Sequence, residues 1–122
     1  MDTPKHTVVL GASPNPQRYG YLAVNRLRSH GHPVTAIGKR AGEIGDTPII
    51  EEHPALEGVD TITLYLNPMN QVPYYDYILS LKPKRVIFNP GTENPELEGL
   101  LRENGILAQE ACTLVLLSTG QF

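Results

Sequence analysis

The stretch T-V-V-L-G-A-S-P-N-P-Q-R-Y-G, residues 7–20, decides the fold. Its first four residues, Thr7–Leu10, are a β-branched and aliphatic run with no polar alternation. Such a run reads as a strand buried on both faces. It stops at Gly11. Residues 21–30 follow with Leu22, Ala23, Val24 and Leu27 at helical spacing, and Gly31 is the stop. Val34–Ile37 is again apolar and ends at Gly38. A β-branched and aliphatic strand, an amphipathic helix and a second apolar strand make a β-α-β unit, which demands a parallel sheet.

The rest of the chain repeats the alternation. Residues 43–54 are irregular and turn-rich, with 48–50 as a short extended piece. Residues 61–66 give a third strand. Residues 70–81 are expected to be a helix, with Val72, Tyr75, Ile78 and Leu79 on one side and Pro73 in the first turn. Arg85–Phe88 is a fourth strand. Residues 95–104 carry strong helix marks: Asn94 at the N-cap, Pro95 at the first position, Leu97, Leu100 and Leu101 on one face, Gly105 as stop. Residues 106–108 give a fifth strand, and 111–118 an apolar segment of either type. The expected fold is α/β: one Rossmann-like, doubly wound, mostly parallel five-stranded sheet with helices on both faces, over residues 1–122 as a single domain.

Composition bounds the function. The 122 residues are 40% hydrophobic and 19% charged, which fits a folded domain. The apolar runs are too short to span a bilayer, and residues 1–6 lack a signal-peptide pattern. Cys112 is the single cysteine, so no internal disulfide is expected and a cytoplasmic location is. A net charge of −3 argues against non-specific nucleic-acid binding. The histidines His6, His30, His32 and His53 are scattered, without metal-ligand spacing. Ser13 does not sit in a nucleophile elbow. With no catalytic constellation, binding without chemistry is the expectation.

Parallel sheets bind ligands beyond the carboxyl ends of their strands. The first strand ends in Gly11, Ala12 and Ser13, followed by Arg18, Tyr19 and Gly20. Glycine admits close approach, Ser13 caps the helix or bonds a phosphate, and Arg18 holds phosphate in a fork. The spacing is not G-x-G-x-x-G, so the dinucleotide fingerprint fails. The second strand ends in Gly38, Lys39 and Arg40. A basic pair there suits a phosphate on a ribose, either the 2′-phosphate of NADP or the 3′-phosphate of coenzyme A. The third and fourth strands end in Asn67-Pro68-Met69-Asn70 and Asn89-Pro90-Gly91-Thr92. These Asn-Pro steps cap helices or line a cleft. Cys112, among apolar neighbours, reads as packing. Tyr65, Tyr74, Tyr75 and Tyr77 serve helix–sheet packing or, on the sharper reading, a homodimer surface.

Val8 to Ser13, Asn15-Pro16, Arg18 to Gly20, Gly38-Lys39, Asn67-Pro68, Asn89 to Gly91 and Ala111 to Leu114 together resemble the CoA-binding domain family of small bacterial proteins. The resemblance runs from about Lys5 onward. The chain is also similar to the N-terminal domain of the succinyl-CoA synthetase α subunit and to the nucleotide domain of redox-sensing repressors. The resemblance implies a small-molecule ligand, coenzyme A or an acyl-CoA, held through its ADP portion. Gly11, Ala12, Ser13 and Arg18 would meet phosphate, with Tyr19 and Gly20 beside them. Gly38, Lys39 and Arg40 would sit at the ribose end. Asn67, Pro68, Asn89, Pro90 and Gly91 would line the adenine and pantetheine path. Two alternatives stay open: an NADP(H)- or NAD(H)-binding oxidoreductase or sensor, and a docking subunit of an acyl-CoA enzyme.

Overall fold

The computed structural model describes residues 3–122. Seven strands form one sheet: β1 (Thr7–Leu10), β2 (Val34–Ile37), β3 (Gly42–Ile44), β4 (Thr47–Ile50), β5 (Thr61–Leu64), β6 (Arg85–Phe88) and β7 (Leu107–Glu110). Their order is β3-β4-β2-β1-β5-β6-β7. All pairings are parallel except β3 with β4. The expectation of five strands is therefore corrected to seven. The additions form a hairpin: β4 contains the extended piece read over 48–50, and β3 straddles the start of the segment read as irregular. Three- and four-residue strands around the Gly45-Asp46 turn are too short for a periodic signal. Arg28 in the last turn of the first helix bonds Asp46 and Thr47, tying the hairpin to that helix.

The helices are α1 (Tyr19–Ser29), α2 (Pro68–Gln71), α3 (Tyr75–Leu81), α4 (Pro95–Glu103) and α5 (Thr113–Ser118). The helix expected over 70–81 begins earlier, at Pro68, and is broken. Pro73 thereby falls in the interior, where it has no N–H to give. A 3₁₀ turn over Val72–Tyr74 separates α2 from α3. The segment over 111–118 resolves as helix α5, with Cys112 at its N-cap. None of the described helices is long and apolar enough to cross a membrane.

Both sheet faces are covered, as a doubly wound sheet requires. Val8, Leu10, Ile62, Leu64, Val86 and Phe88 pack under Ile78, Leu81, Leu97 and Leu101 of α3 and α4. Val9 and Ala36, on the opposite face, pack under Val24 and Leu27 of α1 and Leu117 of α5. All four residues of β1 are fully buried. This explains the unbroken apolar run: alternate side chains meet different helix layers. The chain runs from β1 to β2 on one side and resumes at β5 on the other. The direction reverses between β1 and β5, and a crevice is expected at the strand ends there.

Candidate functional site

A cavity of about 920 Å³ lies at that crevice. It is lined by the loop after β1, by Lys39 and Arg40 after β2, by Tyr65, Leu66, Asn67 and Asn70 after β5, and by Pro90, Gly91 and Thr92 after β6.

Three glycines let these loops close on one another. Gly11 has φ +96°, and a Cβ there would lie 2.8 Å from the Tyr65 carbonyl oxygen. A Cβ on Gly20 would lie 2.6 Å from the Gly11 oxygen. One on Gly38 would lie 2.2 Å from the Ala12 oxygen. The first turn of α1 and the end of β2 thus pack directly on the backbone of residues 11 and 12. Gly20 and Gly38 serve loop packing, and Gly38 does not line the cavity. Gly38, expected at the ribose end, is placed by the structure against the Ala12 backbone, immediately before the lining residue Lys39.

The loop after β1 spends most of its own polar groups. The N–H groups of Gly11 and Ala12 both donate to the Ile37 carbonyl, at 2.9 and 3.0 Å. Their lining of the cavity is therefore by shape, not by those donors. Ser13 does not cap α1: its hydroxyl accepts from the Asn15 N–H at 3.1 Å, and Asn15 Oδ1 accepts from the Gln17 N–H at 3.0 Å. The N-cap of α1 is Arg18, which provides no side-chain acceptor. The first N–H groups of α1, on Tyr19 and Gly20, consequently begin the helix without a side-chain cap. That is the positive end of the helix dipole, beside a guanidinium.

The electrostatics of the lining are one-sided. Arg18, Lys39 and Arg40 line the cavity, and no carboxylate does among the described residues. None of the three is in an ion pair with a described residue; the pairs are Arg28–Asp46, Lys84–Asp60 and Arg102–Glu98. In a chain of net charge −3, this concentrates positive charge at one spot.

The two Asn-Pro loops divide in role. Asn67 caps α2 through Oδ1, which accepts from the Asn70 N–H at 2.9 Å, and it lines the cavity. Pro68 opens α2 and does not line it. Asn89, expected along the ligand path, is not among the lining residues. It is 3% exposed, and both ends of its amide are spent. Nδ2 donates to Thr63 Oγ1 at 2.7 Å and to the Leu64 carbonyl at 2.8 Å, while Oδ1 accepts from the Thr113 N–H at 2.8 Å. Asn89 joins β5, β6 and α5. Pro90 and Gly91 do line the cavity, though the Gly91 N–H donates to Glu93.

The sequence reading passed over Tyr65 and Gln71 as site residues. Tyr65 lines the cavity with its hydroxyl buried. That hydroxyl lies beside the Thr63 and Thr113 hydroxyls, which bond each other at 2.8 Å, and it meets neither in hydrogen-bond geometry. Burial pushes its pKa up to about 12, against the opposing pull of the two threonines, so it is a neutral phenol at working pH. Cys112 is half-buried and stands outside the cavity lining.

A second cavity, of about 890 Å³, opens at the other edge of the sheet, near Lys5, His6, Asp60 and Lys84. It sits where β1, β5 and β6 begin, and its charges are mixed, with Lys84 and Asp60 paired at 3.9 Å. Position and charge both favour the first cavity for a nucleotide.

Comparison with known proteins bears on the fold and the family. A crystal structure described as that of an uncharacterized protein is 59% identical, with a TM-score of 0.97, covering 99% of this chain and 100% of that one. A hypothetical protein from Pyrococcus horikoshii OT3 is 21% identical with a TM-score of 0.83, over 92% of this chain and 80% of that one. A Thermus thermophilus protein, cell-free ID.343, is 24% identical with a TM-score of 0.85, over 98% and 91%. These last two show the fold alone. No curated protein matches. The family model described as CoA binding domain matches residues 5–118, nearly the whole chain, and the chain belongs to that family.

Proposed function

We propose that the protein binds coenzyme A or an acyl-CoA through its ADP portion and carries out no reaction on it. The observation that carries this reading is the cavity lining: three cations without carboxylate partners at the switch point of a parallel sheet. Coenzyme A offers a pyrophosphate and a separate 3′-phosphate. Arg18 and the first turn of α1 suit the pyrophosphate, since a helix N-terminus and a guanidinium both favour an anion. Lys39 and Arg40, on a different loop, suit the ribose phosphate. Asn67 and the lip formed by Pro90 and Gly91 are left to the pantetheine arm.

The same basic pair would accept the 2′-phosphate of NADP, which keeps a nicotinamide reading as the second one. Calorimetric titration with coenzyme A, NADP and NAD separates them. The proposal expects coenzyme A to bind most tightly and NAD most weakly. Equal or tighter binding of NADP overturns it in favour of the second reading. Acetyl-CoA incubated with the protein is expected to be recovered unchanged.

A further inference from the structure

The far side of the cavity has two lips. One is the loop after β5, with Leu66, Asn67 and Asn70; the other is the loop after β6, with Pro90, Gly91 and Thr92. They lie in separate strand-to-helix connections. One fully buried side chain joins them: Gln71, the last residue of α2. Its Nε2 donates to the Leu66 carbonyl at 2.7 Å and to the Thr92 carbonyl at 2.8 Å. Its Oε1 accepts from Asn94 Nδ2 at 2.9 Å. Asn94 in turn caps α4 through Oδ1 and donates a second N–H to the Tyr75 hydroxyl.

This pattern needs two donors and an acceptor on one long, neutral side chain. Glutamate has no donor when ionised, methionine has none, and lysine has no acceptor. The two donors are spent on carbonyls of different lips. A fully satisfied buried amide holds its partners at fixed separation, because any shift leaves a carbonyl unbonded. Gln71 bonds nothing on the loops that carry Arg18, Lys39 and Arg40.

We infer that Gln71 is a positioning residue of the ligand site: it sets the spacing of the β5 and β6 lips and so the fit of the ligand beyond its phosphates. The inference rests on the coenzyme A reading above. It separates the ligand into two parts. The phosphates depend on the cationic loops, and the pantetheine arm depends on Gln71.

The test compares coenzyme A with adenosine 3′,5′-bisphosphate, which keeps the 3′-phosphate and lacks the arm. Gln71→Met nearly preserves length and removes both donors. It is expected to weaken coenzyme A about tenfold or more while changing the bisphosphate less than about twofold. Gln71→Glu, which turns an acceptor onto two carbonyls, is expected to act in the same direction. A residue that merely holds the fold would weaken both ligands alike, so equal losses overturn the inference, as does an undiminished affinity for coenzyme A. If neither ligand binds the wild-type protein, the coenzyme A reading fails and takes the inference with it. Should the variants not fold, hydrogen exchange on the wild-type protein decides. Coenzyme A is then expected to protect residues 66–71 and 90–94 more than the bisphosphate does; the same protection by both overturns the inference.

Discussion

Adding one methyl group at two glycines should move stability in opposite directions. At Gly38 the new Cβ would sit 2.2 Å from the Ala12 carbonyl oxygen and 3.1 Å from Ile49 Cγ2. The first contact is more than an ångström inside van der Waals distance, and its partner is backbone. Relief requires the end of β2 and the loop after β1 to separate. Overpacking of this kind costs about 1–3 kcal/mol, and the rigid partner places Gly38→Ala at the upper end. The same separation moves Lys39 and Arg40 away from Arg18, so ligand affinity falls as well. At Gly99, inside α4, the added Cβ meets nothing within 4 Å. There Gly99→Ala only restricts the unfolded chain and improves helix propensity, a gain of about 0.5–1 kcal/mol. Urea denaturation of the two variants beside the wild type reads both numbers. A Gly38→Ala protein as stable as the wild type would refute the claim that the strand-end loops are locked backbone to backbone.

Two further outcomes follow from particular side chains. Asn89→Ala removes a buried amide that serves three partners, leaving the Thr113 N–H and the Leu64 carbonyl short of a bond. It is expected to cost about 2–4 kcal/mol in chemical denaturation, whereas a lining residue would affect ligand binding and little else. Glu110 on edge strand β7 is held above the usual carboxyl range, first by a hydrogen bond to the Glu98 carboxyl and then by its charge. A carboxyl with a raised folded-state pKa makes the fold less stable as pH rises through that pKa. Glu110→Gln should therefore raise the melting temperature at neutral pH and lose that advantage in acid, where Glu110 is already protonated. A pH-independent difference would contradict the assignment.

The central β-α-β unit is legible in the sequence because β1 is a β-branched and aliphatic run with no polar alternation to hide its strand character. Its helix and second strand are bounded by Gly31 and Gly38. Of the hairpin over residues 42–50 only the extended piece at 48–50 is legible, since strands of three or four residues carry too few side chains to show a period. Pro73 is legible as a first-turn proline, but Asn67 caps a helix that starts at Pro68, two residues earlier than expected, and this puts Pro73 in the interior, where a 3₁₀ turn breaks the helix. At the site, the cations and the glycine-rich turn are visible as residue types in the right places. The division of labour among amides is not. Asn67, Gln71 and Asn89 look alike in sequence, and only tertiary contacts decide which faces the cavity and which is fully buried. Ser13 does not cap α1 because Arg18 occupies the N-cap position, and the Ser13 hydroxyl accepts from the Asn15 N–H instead.

The most direct test of the account is a four-way titration: wild type and the Lys39→Ala, Arg40→Ala double variant, each with coenzyme A and dephospho-CoA. Removing the 3′-phosphate should weaken wild-type binding by about 2–3 kcal/mol if both cations bond it, and less at high salt, since both side chains are exposed. The double variant should bind the two ligands about equally, with its affinity for dephospho-CoA close to that of the wild type. If it loses both ligands to the same extent, the basic pair does not read the phosphate, and the assignment of this cavity to coenzyme A is contradicted.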